Sequence, residues 1–288
     1  MSYKLQRKII LAGFLAIPML LFAMFLVYPA FNLVTMSFTN WDGLLRTYDF
    51  IGFDNYTEVF TSENVWISLR NNGIYAINGI VQNILALLFA LILVSKIKGR
   101  NFFRVIIFTP FIINSAAVSY MFSYLYDFDK SPINVVLNSL GLEPLKFISD
   151  VNLVNFSLAA ISLWRYIGFT MVIYIAALES IPHEMYESSM LDGANSWQTL
   201  RYITIPNIIR IIELNLFLCI SGALNAFVEP LLITNGGPGY ASSTFLVYII
   251  NTAFQFNNFS LAAAMSVVLI IIVLVVTGIQ NKVVLRSR

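Results

Sequence analysis

Long apolar stretches recur along this chain, each closed by a short polar interruption, and that recurrence limits what it can fold into. The first runs from about Ile9 to Phe38. Others fall at about 71–94, 103–126, 151–178, 208–234 and 258–280. A core helix of a soluble protein needs a greasy stripe on one side only. A stretch apolar all round and about 20 residues long matches the hydrocarbon thickness of a bilayer. Composition agrees: 58% of the residues are hydrophobic and 11% charged, against about half and a quarter in an ordinary soluble domain. The fold expected is all-α, a polytopic membrane bundle of six transmembrane helices forming one domain over residues 1–288. The first stretch is too long for a signal-peptide core and lacks a small-x-small cleavage site, so it is expected to be retained.

Six crossings put both termini on one side, and the charges say which. Lys4, Arg7 and Lys8 precede the first span; Lys96, Lys98, Arg100 and Arg104 lie between the second and third. Arg201 and Arg210 lie between the fourth and fifth, and Lys282, Arg286 and Arg288 follow the sixth. Short basic loops stay in the cytoplasm. The opposite face is acidic, with Asp42, Asp49, Asp54, Glu58, Glu63, Asp127, Asp129 and Asp150. Both termini are therefore expected in the cytoplasm, with the segment 179–207 on the same side.

Several functions are disfavoured. A net charge of +2 gives no reason to expect nucleic acid. The single Cys219 and single His183 make no metal site. "GGPG" at 236–239 lacks the Gly-Lys-Ser/Thr ending of a phosphate-binding loop and falls on the outer face. No catalytic constellation is seen: there is no His-Glu-x-x-His, no paired intramembrane aspartates and no Gly-x-Ser-x-Gly. "TFLVYIINTAFQF" is apolar but short, and is expected to be a packed or interfacial helix rather than a seventh span.

The segment 179–207 breaks the pattern. Pro182 and Glu184 suit the start of a helix. Met185, Tyr186, Ser189 and Met190 share one face at helical spacing. Asp192-Gly193 ends the helix, because glycine takes the left-handed cap that costs other residues about 1–2 kcal/mol. Ser196 is placed to cap a second short helix through Trp197, Leu200 and Arg201, and Pro206 opens the fifth span. An amphipathic helix without basic residues on its polar face suits a groove in a soluble partner better than an anionic lipid surface.

The stretch "MYESSMLDGANSWQTLRYITIP" (185–206) resembles the cytoplasmic signature, the EAA loop, of permease subunits of bacterial ABC importers. Glu187, Asp192, Gly193, Ala194, Trp197, Gln198, Ile203, Thr204 and Pro206 match it without gaps. Ser188 and Ser189 stand in place of its two alanines, and Leu200 in place of its phenylalanine. "FIGFDNYTEVF", "LLITNGGPGYASST" and "LAAAMSVVL" resemble the carbohydrate, maltose-permease-like branch of that family. The resemblance implies the type I importer permease fold. It also implies a second homologous permease, two ATP-binding subunits that hold ATP and magnesium, an extracytoplasmic sugar-binding protein, membrane lipid around the spans and a carbohydrate as solute. The chain itself would be no enzyme and would carry no cofactor. Glu187, Ser188, Ser189, Asp192, Gly193, Ala194 and Pro206 would couple it to the ATPase.

For the solute path, the resemblance implies Trp164 and Ser115, with Phe111 and Phe169 where relatives carry tyrosines. Cys219, Ala223 and Ala226 replace sugar-binding polar residues of the maltose branch. Arg165 and Asn225 join the path candidates as polar groups inside spans. Arg165 is expected either to pair with an acid such as Glu213 or to receive an acidic sugar. Asn78, Asn83 and Asn114 fit interhelical bonding more than ligand contact. Two other readings stay open: an importer subunit for a solute such as a phosphorylated polyol, and an ATP-independent facilitator.

Overall fold

The computed structural model describes residues 3–44, 47–95 and 97–286. Lys96 and Arg288, counted above among the basic residues, lie outside them. The helices in chain order are α1 (Tyr3–Phe22), α2 (Tyr28–Met36), α3 (Asp54–Thr61), α4 (Glu63–Val94), α5 (Arg100–Ile112), α6 (Ser115–Leu125), α7 (Pro132–Ser139), α8 (Val154–Glu179), α9 (His183–Leu191), α10 (Ser196–Thr199), α11 (Ile205–Leu224), α12 (Phe245–Phe254) and α13 (Phe259–Arg286). Among the described residues there are five helical stretches long and apolar enough to cross a membrane, and a sixth if α5 and α6 are one bent span. The short stretch before α13 is the ten-residue α12.

Several boundaries differ from the sequence reading. The helix that carries the second span begins at Glu63, ahead of the apolar run that starts near 71. The third is not straight: α5 and α6 meet at 97°. Ile113 and Asn114 are extended, and the Asn114 side chain caps α6 by accepting from the Ala116 N–H. The fifth span runs from Ser196 to Leu224, ten residues short of the expected 234. Pro206 does not start it; α10 passes through a π-helical turn at Leu200–Thr204 straight into α11. Another π turn, at Pro230–Thr234, holds the residues that the sequence reading had assigned to the end of that span.

The chain divides into two compact units, one of residues 1–62 and 249–271, the other of residues 63–248 and 272–288. In the first, the most apolar stretch of Ile10–Met36 has no buried residue, as expected of a helix facing lipid or another chain. Asn55 organises the turn that follows, donating from Nδ2 to the Ser37 and Thr39 carbonyls at 2.9 and 2.8 Å. Thr39 in turn meets the Ser260 hydroxyl at 3.0 Å.

In the second unit α8 is the centre. Val154, Leu158, Ile161, Met171 and Tyr174 are almost wholly buried, with α4, α5 and α11 packed around them. One apolar cluster lies toward the ends of α4 and α8 and takes in Leu93, Leu178 and Ile208. Another gathers Tyr75, Val118, Val154 and Ala223. Gly168 makes the α5–α8 approach possible, because a β-carbon there would stand 2.1 Å from the Ile107 carbonyl oxygen. Small residues serve this purpose in membranes, where van der Waals packing rather than the hydrophobic effect joins helices. Gly168→Ala is expected to push α5 off α8 and cost about 1–3 kcal/mol. Thermal unfolding of the detergent-solubilised protein reads this directly, and an unchanged midpoint would contradict the packing.

Candidate functional site

The polar corner between the fourth and fifth spans is built from local rules. Helix α9 ends in a Schellman motif, in which the Gly193 N–H donates to the Met190 carbonyl at 3.1 Å and the Ala194 N–H to that of Ser189 at 3.0 Å. Gly193 has φ +77°, the left-handed backbone that the sequence reading assigned to it. The second cap is one residue off the expectation. Asn195, not Ser196, forms it, as a capping box in which Asn195 and Gln198 exchange bonds of 2.9 and 2.8 Å.

Ser189 is buried and bonds back to the Tyr186 carbonyl at 2.8 Å, and Ser188 bonds back to that of Met185 at 3.1 Å. Met185 and Tyr186 pack on the cluster around Leu93, Leu178 and Ile208. Met190, on the same helical face by spacing, is 69% exposed, and Leu191 beside it 89%. The outer surface of the corner therefore presents Glu187, Met190, Leu191, Asp192 and Trp197 together. Beside it lies a shallow groove of about 400 Å³ lined by Ser189, Met190, Ala194, Thr199 and Thr204 among others. Pro206 lies in the first turn of α11.

The corner and the basic loop share one end of the second unit. Arg104 donates to Glu179 at 2.9 Å and to the Leu93 carbonyl at 3.1 Å, joining the end of α4, the start of α5 and the end of α8.

The path candidates gather along α8. Phe111 and Phe169 stack with centroids 4.6 Å apart, and Trp164 meets Phe122 edge-on at 5.4 Å. Arg165 is buried. Its Nη1 donates to Glu229 Oε1 at 3.2 Å and its Nη2 to the Ser115 hydroxyl, while Cζ lies 5.0 Å from the Tyr166 ring centre. The sequence reading had suggested Glu213 as the acid; the partner is Glu229, and the fork offered to an acidic sugar is already in use. The Asn225 amide bonds back to the Ser221 carbonyl at 2.9 Å.

Glu229 was missed. A signal existed: it is the last acid in the chain, alone in an apolar run and next to a proline. Asn78 and Asn83 bond helices as expected, Asn78 to the Ala159 carbonyl at 3.0 Å and Asn83 to Tyr174 and Cys219.

Comparisons with known proteins bear on this geometry. The family "Binding-protein-dependent transport system inner membrane component" matches residues 82–288. The "Probable ABC transporter permease protein YurN" of Bacillus subtilis is 32% identical over 282 residues, 96% of each chain. The "Multiple sugar-binding transport system permease protein MsmF" of Streptococcus mutans is 28% identical over 270 residues, 93% of each. Among solved structures, a chain of a bacterial alginate ABC transporter, crystallised with an alginate pentasaccharide-bound periplasmic protein, superposes with a TM-score of 0.85. It is 22% identical, over 97% of this chain and 95% of that one. The helical membrane fold expected from the sequence is the fold of that chain.

No neighbour lies within 4 Å of where a Gly193 β-carbon would stand, so its constraint is conformational alone. Gly193→Val is expected to loosen the corner by about 1–2 kcal/mol, and Gly193→Asn, which tolerates left-handed backbone, by much less. Hydrogen exchange of the amides of residues 191–199 separates them. Equal exchange in the two variants would argue against the cap.

Proposed function

Because the chain belongs to the family of binding-protein-dependent transport system inner membrane components, we propose that it is the membrane-spanning permease of an ATP-driven importer for a sugar or oligosaccharide. Its corner at 183–204 is the handle by which a separate ATPase moves it. The observation that carries this is the corner itself: two short helices locked by a glycine Schellman turn and a capping box, with apolar side chains turned outward. A mere connection would not leave Met190, Leu191 and Trp197 in water; a docking surface would.

The working assembly contains a second permease, two ATP-binding subunits holding ATP and magnesium, and an outer sugar-binding protein. Both termini and the corner face the cytoplasm, as the basic loops require. Glu187 and Asp192 supply charged contacts to the ATPase, and the small Ser188, Ser189, Gly193 and Ala194 allow close approach. Movement of the handle rocks the bundle about a mid-membrane site, so that the site opens to alternate sides. Aromatic faces at Trp164, Phe111 and Phe169 suit the apolar CH faces of a sugar ring. The carbohydrate class draws on the sugar permease to which the chain is similar along nearly its whole length.

Affinity purification of the tagged chain from membranes is expected to bring an ATPase subunit with it. Gly193→Trp is expected to leave insertion intact and to cut solute uptake about tenfold or more while ATP hydrolysis continues, the size expected when one interface contact worth about 1.4 kcal/mol is lost. Normal uptake by that variant would contradict the handle.

A further inference from the structure

Two helices of the second unit are interrupted at membrane depth, and both interruptions reach the same guanidinium. The α5–α6 bend ends at Ser115, and the break after α11, at 225–227, ends two residues before Glu229, which leads into the π turn at Pro230–Thr234. Arg165 bonds to both side chains. It lies between the ends of α8 at Val154 and Glu179, roughly 16 Å from one and 21 Å from the other at 1.5 Å per residue, and so near the middle of its span.

Irregular backbone at such depth persists only inside protein or beside a watered cavity, and interrupted helices of transporters point at the solute. Residues 112–114 are exposed and Ser115 half-exposed, so this is the face that the chain leaves open at mid-membrane.

The bonding leaves Ser115 in a defined state. Its oxygen accepts from Arg165; among the described residues no bond uses its own hydrogen. That hydrogen is free for a ligand, and a neighbouring cation polarises it further. A bare guanidinium there would draw anions, because its fork matches a carboxylate. Glu229 cancels that charge within the pair.

We propose that Arg165 and Glu229 are a charge-balanced positioning pair that presents Ser115 as a hydrogen-bond donor to an uncharged, hydroxyl-bearing solute, so that this part of the path disfavours anionic sugars. The inference rests on the saccharide-importer reading and adds the charge class of the solute.

The test is saturation-transfer NMR on the assembled membrane complex in nanodiscs, without the outer binding protein. The probes are neutral gluco-, galacto- and chito-oligosaccharides and oligo-hexuronates at millimolar concentration. The wild type is expected to engage a neutral probe and no hexuronate. Glu229→Gln unbalances the guanidinium: binding of the neutral probe should weaken about tenfold and a hexuronate signal should appear, since a site built around one polar pattern penalises another. Breaking a buried ion pair by one partner can prevent folding, whereas replacing both is tolerated. The paired Arg165→Gln/Glu229→Gln variant therefore supplies a second arm. Ser115→Ala should weaken neutral binding about tenfold in the wild type and hardly at all in the paired background, because coupled residues are not additive. Hexuronate binding by the wild type would overturn the inference alone. So would an assembled Glu229→Gln complex with unchanged preference, or an equal Ser115→Ala effect in both backgrounds. Silence from every saccharide would overturn the importer reading and this inference with it.

Discussion

In a bilayer every backbone N–H and C=O must find a partner within the protein, since an unmatched group in hydrocarbon costs several kcal/mol. Unbroken helices satisfy the rule by themselves. At the two breaks of the second unit, side chains take over. Asn72 donates to the Ala223 and Leu224 carbonyls at the end of α11, at 2.7 and 3.3 Å, and accepts from the Phe245 N–H at 2.9 Å. Asn71 holds the Ala241 and Ser243 carbonyls at 2.8 and 2.9 Å, and Asn155 reaches Ala241 and Asn71. Asn114 caps the restart of the bent span. These amides let the second unit keep two discontinuities without opening unsatisfied backbone to lipid.

Discontinuities are where a transporter does its selecting, because they place polar groups at depth. Here the two breaks do not act separately. A single guanidinium bridges them, and its counter-ion comes from the element that follows the second break. The helix that carries the guanidinium also carries Gly168, on which α5 rests, and ends at Glu179, which grips Arg104. Four residues later the corner begins. One unbroken helix therefore joins Glu179, close to the corner, to Arg165.

Much of this was legible in the sequence, for physical reasons. Spans are read from hydrophobic length, which the bilayer sets directly, and Gly193 from the stereochemistry of a helix end. The misses share one cause. Bends and breaks arise from who caps whom, and hydropathy does not see capping: Ile113 and Leu224 look like any other apolar residue, yet one is extended and the other ends a helix. The Arg165 partner depended on which acid the fold brings near, and Glu213 and Glu229 differ little on paper. By spacing Met190 shares a face of α9 with Met185, Tyr186 and Ser189, yet it stays exposed while Ser189 is buried.

The central claim is that the corner between the fourth and fifth spans is held by a motor subunit in the cytoplasm. Leu191, almost fully exposed at its tip, is the position from which to ask. A photo-crosslinking amino acid placed there and activated in intact cells is expected to trap an ATP-binding protein, identified by mass spectrometry. Trapping of lipid alone, or of a protein from the outer face, would contradict the account.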